Sequence, residues 1–184
     1  ARLIDALKRL RDIGNTVVVV EHDEDTIRAA DWLIDIGPGA GTRGGELLAE
    51  GTPKDVAKIK KSVTGQWLKT GAAVDSGATR LAANQPAGGL PPPNPREHNL
   101  QGIDATIPLG LMVSVTGASG SGKSTLIDGI LRRALSRHFY RATTTPGAHD
   151  GIDGIEQLEK VVVVDQKPLG RSPRSNPATY TGAL

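Results

Sequence analysis

The 184-residue chain contains no cysteine. It therefore holds no disulfide framework and no cysteine-ligated zinc site within these residues. It also lacks any apolar run of the roughly 18 residues that a membrane-spanning helix needs. A charge excess is missing too. The formal net charge is +2, too close to neutral for charge alone to argue for nucleic acid. No secretory leader and no initiator methionine stand at Ala1. The lack of thiols fits a cytoplasmic setting. Ala1 falls inside a helical pattern, and Leu184 follows Tyr180, Thr181 and Gly182 without a stop to a fold. Both ends read as cuts, so the expectation is an internal segment of a longer protein.

The first third carries clear periodicity. Leu3, Leu7 and Leu10, with Ile4 beside them, place one apolar face on a helix over residues 1–13. Gly14 stands where a helix C-terminal glycine belongs. Residues 16–20 form a β-branched run, the mark of a buried parallel strand. Asp23 is placed to cap a short helix over 24–30. A strand over 32–36 ends at Gly37, Pro38 and Gly39. Residues 45–49 read as a further strand, Pro53 as the N1 position of a helix reaching Lys60, and 63–69 as another helical turn or two.

The composition then changes. Residues 70–97 are rich in alanine, glycine and proline, including Pro91, Pro92, Pro93 and Pro95. Such a segment buries too little surface to offset its ordering entropy and reads as a linker. It divides the chain into 1–69 and 98–184. Beyond it, weak alternation predicts a strand over 100–107, then a strand over 111–116 and a helix over 122–138. Residues 141–154 are turn-rich, and Val161, Val162, Val163 and Val164 predict one more strand, ending at Asp165 and Gln166.

The chemistry sits between the strand at 111–116 and the helix after it. Gly117, Ala118, Ser119, Gly120, Ser121, Gly122, Lys123 and Ser124, followed by Thr125, fit the phosphate-binding pattern G-x-x-x-x-G-K-[ST]. Glycines let backbone N–H groups turn inward around a phosphate, and the helix N-terminus adds partial positive charge there. Lys123 is placed to reach the β- and γ-phosphates of ATP, and Ser124 offers a hydroxyl to Mg²⁺. The plain alternative is a glycine-rich strand-to-helix turn without ligand; the flanking strand and helix argue against it.

Two strand ends carry further candidates. A glutamine such as Gln166 at a strand end meets Mg²⁺ and the attacking water in ABC-type ATPases; alone, it is more often a solvated residue. His22, after the valine run, is placed to sense a γ-phosphate, as the switch histidine of such ATPases does; a lone histidine is more often a surface residue. Lys167, Arg171 and Arg174 form a small basic cluster, more readily read as a solvated loop than as a phosphate contact.

These pieces together resemble one family. Gly14, Asn15 and Thr16 through Val20, Glu21, His22, Asp23, Glu24 and Asp25 are similar to the tail of the first nucleotide-binding domain of the UvrA family of DNA-damage recognition ATPases. So are Ile34, Asp35, Ile36, Gly37, Pro38, Gly39, Ala40 and Gly41, then Gly44 and Gly45, and further on Thr64, Gly65 and Gln66. Residues 116–125, Pro146 to Asp150, Asp165 and Gln166, and above all the unusual stretch 170–182, resemble the start of the second domain.

The resemblance implies an α/β P-loop NTPase of the ABC-ATPase type, cut across two modules in tandem. It implies ATP and Mg²⁺ as cofactors, with Gln166 and Ser124 at the metal and His22 and Gln166 in catalysis. It implies damaged double-stranded DNA and UvrB, the next component of the excinuclease, as partners. It also implies a homodimer in the full-length form, no membrane, and zinc only outside this stretch. His22 and Lys123 would serve different ATP sites and lie well apart in the whole protein. The Leu-Ser-Gly-Gly signature and the Asp-Glu strand of such ATPases are missing here, so the chain alone is expected not to turn over ATP. Two other readings are a transporter's nucleotide-binding subunit and a drug-resistance paralogue. The transporter reading explains Lys123, Gln166 and His22 but not their order. A P-loop kinase would leave residues 172–182 unexplained.

Overall fold

The computed structural model describes residues 2–70, 89–90 and 98–164. Gln166, the cluster of Lys167, Arg171 and Arg174, the stretch 170–182 and most of the linker lie outside the described residues. The elements in chain order are α1 (Arg2–Asp12), β1 (Val17–Val20), α2 (Glu24–Ala29), β2 (Trp32–Gly37), β3 (Glu46–Gly51), α3 (Pro53–Val56), α4 (Val63–Thr70), β4 (Gly89–Leu90), β5 (Ile107–Pro108), β6 (Met112–Thr116) and α5 (Arg133–Tyr140). Wider, π-type turns over Thr125–Arg132 run directly into α5.

Four strands form the main sheet in the order β1-β6-β2-β3. β6 pairs parallel with β1 on one side and with β2 on the other, and β3 closes the edge antiparallel to β2. Being central, β6 is buried along its whole length, whereas β1 at the edge is half-buried. Side chains alternate between the two faces, as strand geometry requires. Ile34, Ile36, Val113 and Val115 meet Leu126, Ile130, Leu131 and Leu135 of the helix after β6, together with Leu100, Ile103, Ala105 and Ile107. Leu33 and Ala49 meet Ile27, Val56 and Leu68 on the opposite face. Helices thus cover both faces of a mainly parallel sheet.

Local chemistry sets the element ends. Asp23 accepts a hydrogen bond from the Thr26 backbone N–H and caps α2, as its position predicts. These bonds hold the Asp23 carboxyl below the usual range. Thr52 caps α3, with Pro53 in its first turn. The α3 helix stops at Val56, short of the Lys60 expected from the sequence. Helix α1 turns Arg11 inward, with Ile4 and Leu7 half-buried on the same face. Leu3 and Leu10 are exposed, while buried Arg11 donates to both carboxylate oxygens of Asp31 at 2.9 and 2.8 Å. Asp31 in turn accepts from the Met112 N–H at 2.9 Å, tying α1 to the start of β6.

Two expected strands do not form. Of residues 100–107, only Ile107 enters a strand, β5; Leu100, Ile103 and Ala105 are buried as an irregular segment packed on the core. Val161 to Val164 make no strand, and Val162, Val163 and Val164 are exposed. A β-branched run becomes a strand only where a neighbouring strand accepts its backbone groups. Here Val161 instead bonds through both its N–H and C=O to the Tyr140 hydroxyl.

One edge residue has a measurable signature. Glu50 of β3 accepts a hydrogen bond from the Thr106 N–H at 2.9 Å. Burial pushes its carboxyl above the usual range, against that hydrogen bond. A raised carboxyl pKa means that the charged form costs stability at neutral pH, and that the cost fades as pH falls toward the unfolded-chain value. Glu50→Gln keeps an acceptor oxygen. It is expected to raise Tm near neutral pH, with the gain over the parent narrowing in thermal melts taken toward about pH 4. A lower Tm for the variant at neutral pH would contradict this.

Candidate functional site

The phosphate-binding pattern falls where β6 meets the long helix, at the C-terminal edge of the sheet. This is the crevice in which open α/β sheets hold ligands. Gly117 follows Thr116 with φ of 126°, and Gly122 has φ of 111°, a region that favours glycine. There is no room for side chains either. A Cβ at Gly117 would lie 1.9 Å from the Ile36 carbonyl oxygen, and one at Gly122 would lie 2.7 Å from Leu100 Cδ2.

A second glycine-rich loop supports the first from behind. The Gly41 N–H donates to the Gly120 carbonyl at 3.1 Å, and the Gly45 N–H to that of Ser121 at 2.8 Å. Asn99 Nδ2 donates to the carbonyls of Gly120 at 3.0 Å and Gly41 at 3.2 Å. Gln101 closes on Gly44 and Gly45 through its side chain and its N–H. These bonds engage loop carbonyls on this side, while the Ser121 N–H donates within the loop to the Ala118 carbonyl at 3.1 Å; in loops of this kind inward-turned N–H groups receive a bound anion. Asn99 and Gln101 belong to no motif, and sequence reasoning misses them. The only signal that could have found them is the glycine density of residues 37–45.

Lys123 folds over the loop, its Nζ donating to the carbonyls of Gly117 at 2.8 Å and Ala118 at 2.7 Å. Burial draws its ammonium below the ordinary lysine range, and the charge of Asp35 opposes that shift. Ser124 is already helical, with φ of −67° and ψ of −31°. Ser121 is buried, and its hydroxyl has no partner among the described residues. The cradle of positive-φ glycines, the lysine and the buried hydroxyl fit a polyphosphate. Ser124 fits a Mg²⁺ ligand by its chemistry as a hard oxygen donor.

His22 lies just beyond the end of β1. β1 and β6 run parallel, with Val20 opposite Val115, and the Glu21 N–H donates to the Val115 carbonyl at 3.3 Å. His22 therefore leaves the sheet at the same edge as the P-loop, one strand over. The physical reason is that β6 offers two open edges, and β1 satisfies its backbone groups on one of them. The imidazole itself is exposed. Among the described residues, no group of three or more His, Cys, Asp or Glu side chains is arranged to hold a metal ion. No helix among them is long and apolar enough to cross a membrane.

A buried parallel strand, a glycine-rich loop and a helix opening with lysine and serine give the strand–loop–helix geometry of an α/β P-loop protein. No protein-family model matches the chain. Its similarity to known proteins is nevertheless extensive. It is 51% identical over 183 residues to UvrABC system protein A of Streptococcus pyogenes serotype M3, covering 100% of this chain and 19% of that protein. The protein of the same name from Deinococcus radiodurans is 55% identical over 183 residues, 18% of its length, and that from Thermus thermophilus is 51% identical over 19% of its length. A crystal structure of UvrA2 from Deinococcus radiodurans aligns with 98% of this chain and 21% of its own, at 46% sequence identity and a TM-score of 0.46. The chain belongs to the UvrA family, and its own fold is a mainly parallel α/β sheet. It spans about one fifth of the length of the relatives it matches.

Proposed function

We propose that this chain is the ATP-binding segment of a DNA-damage recognition ATPase acting in nucleotide excision repair. The phosphate cradle at residues 117–125, seated at the end of the central buried strand, carries the nucleotide part of this reading. The repair part rests on similarity along the whole chain to proteins named for the UvrABC system. A transporter subunit is not favoured, because that similarity extends through both sides of the linker.

In this reading backbone N–H groups of the 117–122 loop would hold the β-phosphate, Lys123 would pair with the β- and γ-phosphates, and Ser124 and Gln166 would bind Mg²⁺. The metal, when bound, neutralises charge on the transferring phosphoryl group. Gln166 orients the attacking water. His22 senses the γ-phosphate held by its own module, a role supported by its place just beyond the end of β1. Residues 1–69 and 98–184 belong to consecutive modules joined by 70–97. In the tandem protein β1 pairs with the P-loop strand of its own module through the edge it presents here to β6. The remaining catalytic groups come from outside the chain, so this segment alone does not hydrolyse ATP. The full-length protein is a cytoplasmic homodimer that engages damaged double-stranded DNA and the excinuclease component UvrB.

The test is DNA affinity of the full-length protein for a duplex with one bulky lesion, in the apo state and with Mg-ADP or a slowly hydrolysed ATP analogue. The expected result is preference for the damaged duplex and a several-fold change in affinity between nucleotide states. Absence of DNA binding, or affinity indifferent to nucleotide, would withdraw the repair reading and favour a paralogue with another task. Steady ATP turnover by the 184-residue chain, lost in Lys123→Ala, would contradict the division of catalytic groups.

A further inference from the structure

His22 stands in the turn between β1 and α2, and within residues 1–69 those two elements fix its place. Helix α2 has only six residues, too few to hold a helix by itself, so its supports decide where the turn sits. Ile27 packs its inner face into the cluster of Leu33, Ala49, Val56 and Leu68. Arg28 adds a brace. Its Nε donates to Glu24 Oε1 at 2.9 Å, at the start of the helix and close to His22 in the chain. Its Nη1 donates to the Leu68 carbonyl in the last turn of α4 at 3.4 Å, and its guanidinium carbon lies 5.2 Å from the centre of the Trp67 ring. One planar cation thus joins the first turn of α2 to the C-terminal end of α4, where helix carbonyls and the ring face both favour positive charge. Arg28 Nη2 is buried with no partner among the described residues. A leucine here would cover Trp67 without burying an unpaired N–H, so the guanidinium calls for a role beyond packing. Glu24, Arg28, Trp67 and Leu68 all fall within residues 1–69, so the brace stays inside one module of the tandem protein.

We infer that Arg28 is a positioning residue for His22: by bridging Glu24 to the end of α4 it fixes α2, and with it the turn from which the imidazole reaches a γ-phosphate. This inference rests on the proposed role of His22 as the γ-phosphate sensor of its own module. The apolar contact of Ile27 is non-directional. The guanidinium is held at Glu24, at the Leu68 carbonyl and on the ring face, and so admits one orientation of the helix. Arg28 itself touches no nucleotide in this account, so nucleotide affinity does not depend on it. What depends on it is the step that uses His22, because a small displacement of a catalytic group is enough to slow the chemistry.

The experiment measures ATP turnover, Mg-ADP affinity and Tm for the full-length protein and its Arg28→Gln, Arg28→Lys and His22→Ala variants, at a temperature where all are folded. His22→Ala sets the scale for loss of the imidazole. Arg28→Gln keeps a polar side chain but neither the charge nor the planar fork. It is expected to lower kcat by about twofold to fivefold, toward the His22→Ala value, with KM and Mg-ADP affinity within about twofold of the parent. Arg28→Lys returns the charge to the ring face and is expected to recover part of that loss. An Arg28→Gln protein that melts lower but turns over ATP at the parent's kcat would overturn the inference, because a brace that serves stability alone moves Tm alone. If Arg28→Gln does not fold, Trp67→Leu takes its place. It removes the ring face while keeping an apolar side chain, and a kcat equal to the parent's would overturn the inference. A His22→Ala protein with the parent's kcat would instead remove the γ-phosphate role of His22 itself.

Discussion

Lys123→Ala is expected to reduce nucleotide affinity about a hundredfold while leaving the apo protein as stable as the parent. The side chain is the cation of the cradle, and its Nζ already lies across the loop on the carbonyls of Gly117 and Ala118. A bound polyphosphate would replace those neutral acceptors with charged oxygens. A hydrogen bond between charged groups is worth about 1.5–3 kcal/mol, and about 2.7 kcal/mol is a hundredfold in affinity. Stability should not follow, because burial disfavours the ammonium in the apo state. Removing it relieves that penalty and leaves two carbonyls at a surface that water reaches. Titration calorimetry with Mg-ADP, paired with thermal melts, separates the two effects. An affinity within about threefold of the parent would mean that Lys123 does not touch phosphate.

Gly117→Ala is expected to have the opposite profile, with loss of the fold as well as of binding. Its φ of 126° is already unfavourable for any side chain. The added Cβ would also lie 1.9 Å from the Ile36 carbonyl oxygen and 2.9 Å from the Ile36 carbonyl carbon. These are backbone atoms of β2, the strand paired on both sides with β6 and β3, so neither side can give way without breaking the sheet. Overpacking and backbone strain of this kind cost on the order of 3 kcal/mol or more, roughly a 10 °C fall in Tm for a domain of this size. Gly14→Ala is the control. Gly14 has a φ of 97° but nothing within 4 Å of the added Cβ. That variant should lose only the strain term, about 1 kcal/mol. Equal Tm values for the two variants would show that close approach to β2 is not what confines position 117 to glycine.

The parts of this structure that the sequence made legible are those whose cause is local. The phosphate loop needs its glycines, lysine and serine in a row, and a strand and a helix on either side. Asp23 and Pro53 announce helix starts within one turn. The parts that stayed hidden depend on partners distant in the chain. Val161 to Val164 have the composition of a strand but no strand to pair with among the described residues. Leu3 and Leu10 share a helical stripe, yet the face that docks is set by the Arg11–Asp31 contact. The pairing of β1 with β6 joins residues far apart in the chain, which no periodicity reveals. Asp35 stands out in the sequence only as one member of a family stretch. Its burial among three hydroxyls spans separations of 27, 29 and 81 residues, beyond any local pattern.

The most direct test of a polyphosphate site at residues 117–125 is a titration of the protein with ATP, ADP and AMP in the presence of Mg²⁺. In the proposed reading the cradle and Lys123 address the β- and γ-phosphates and make no use of the base. ATP and ADP should therefore bind with comparable affinity, and AMP more weakly by about a hundredfold or more. Equal affinity for all three would mean that recognition lies in the nucleoside, and that the loop after β6 is a glycine-rich turn rather than a phosphate site.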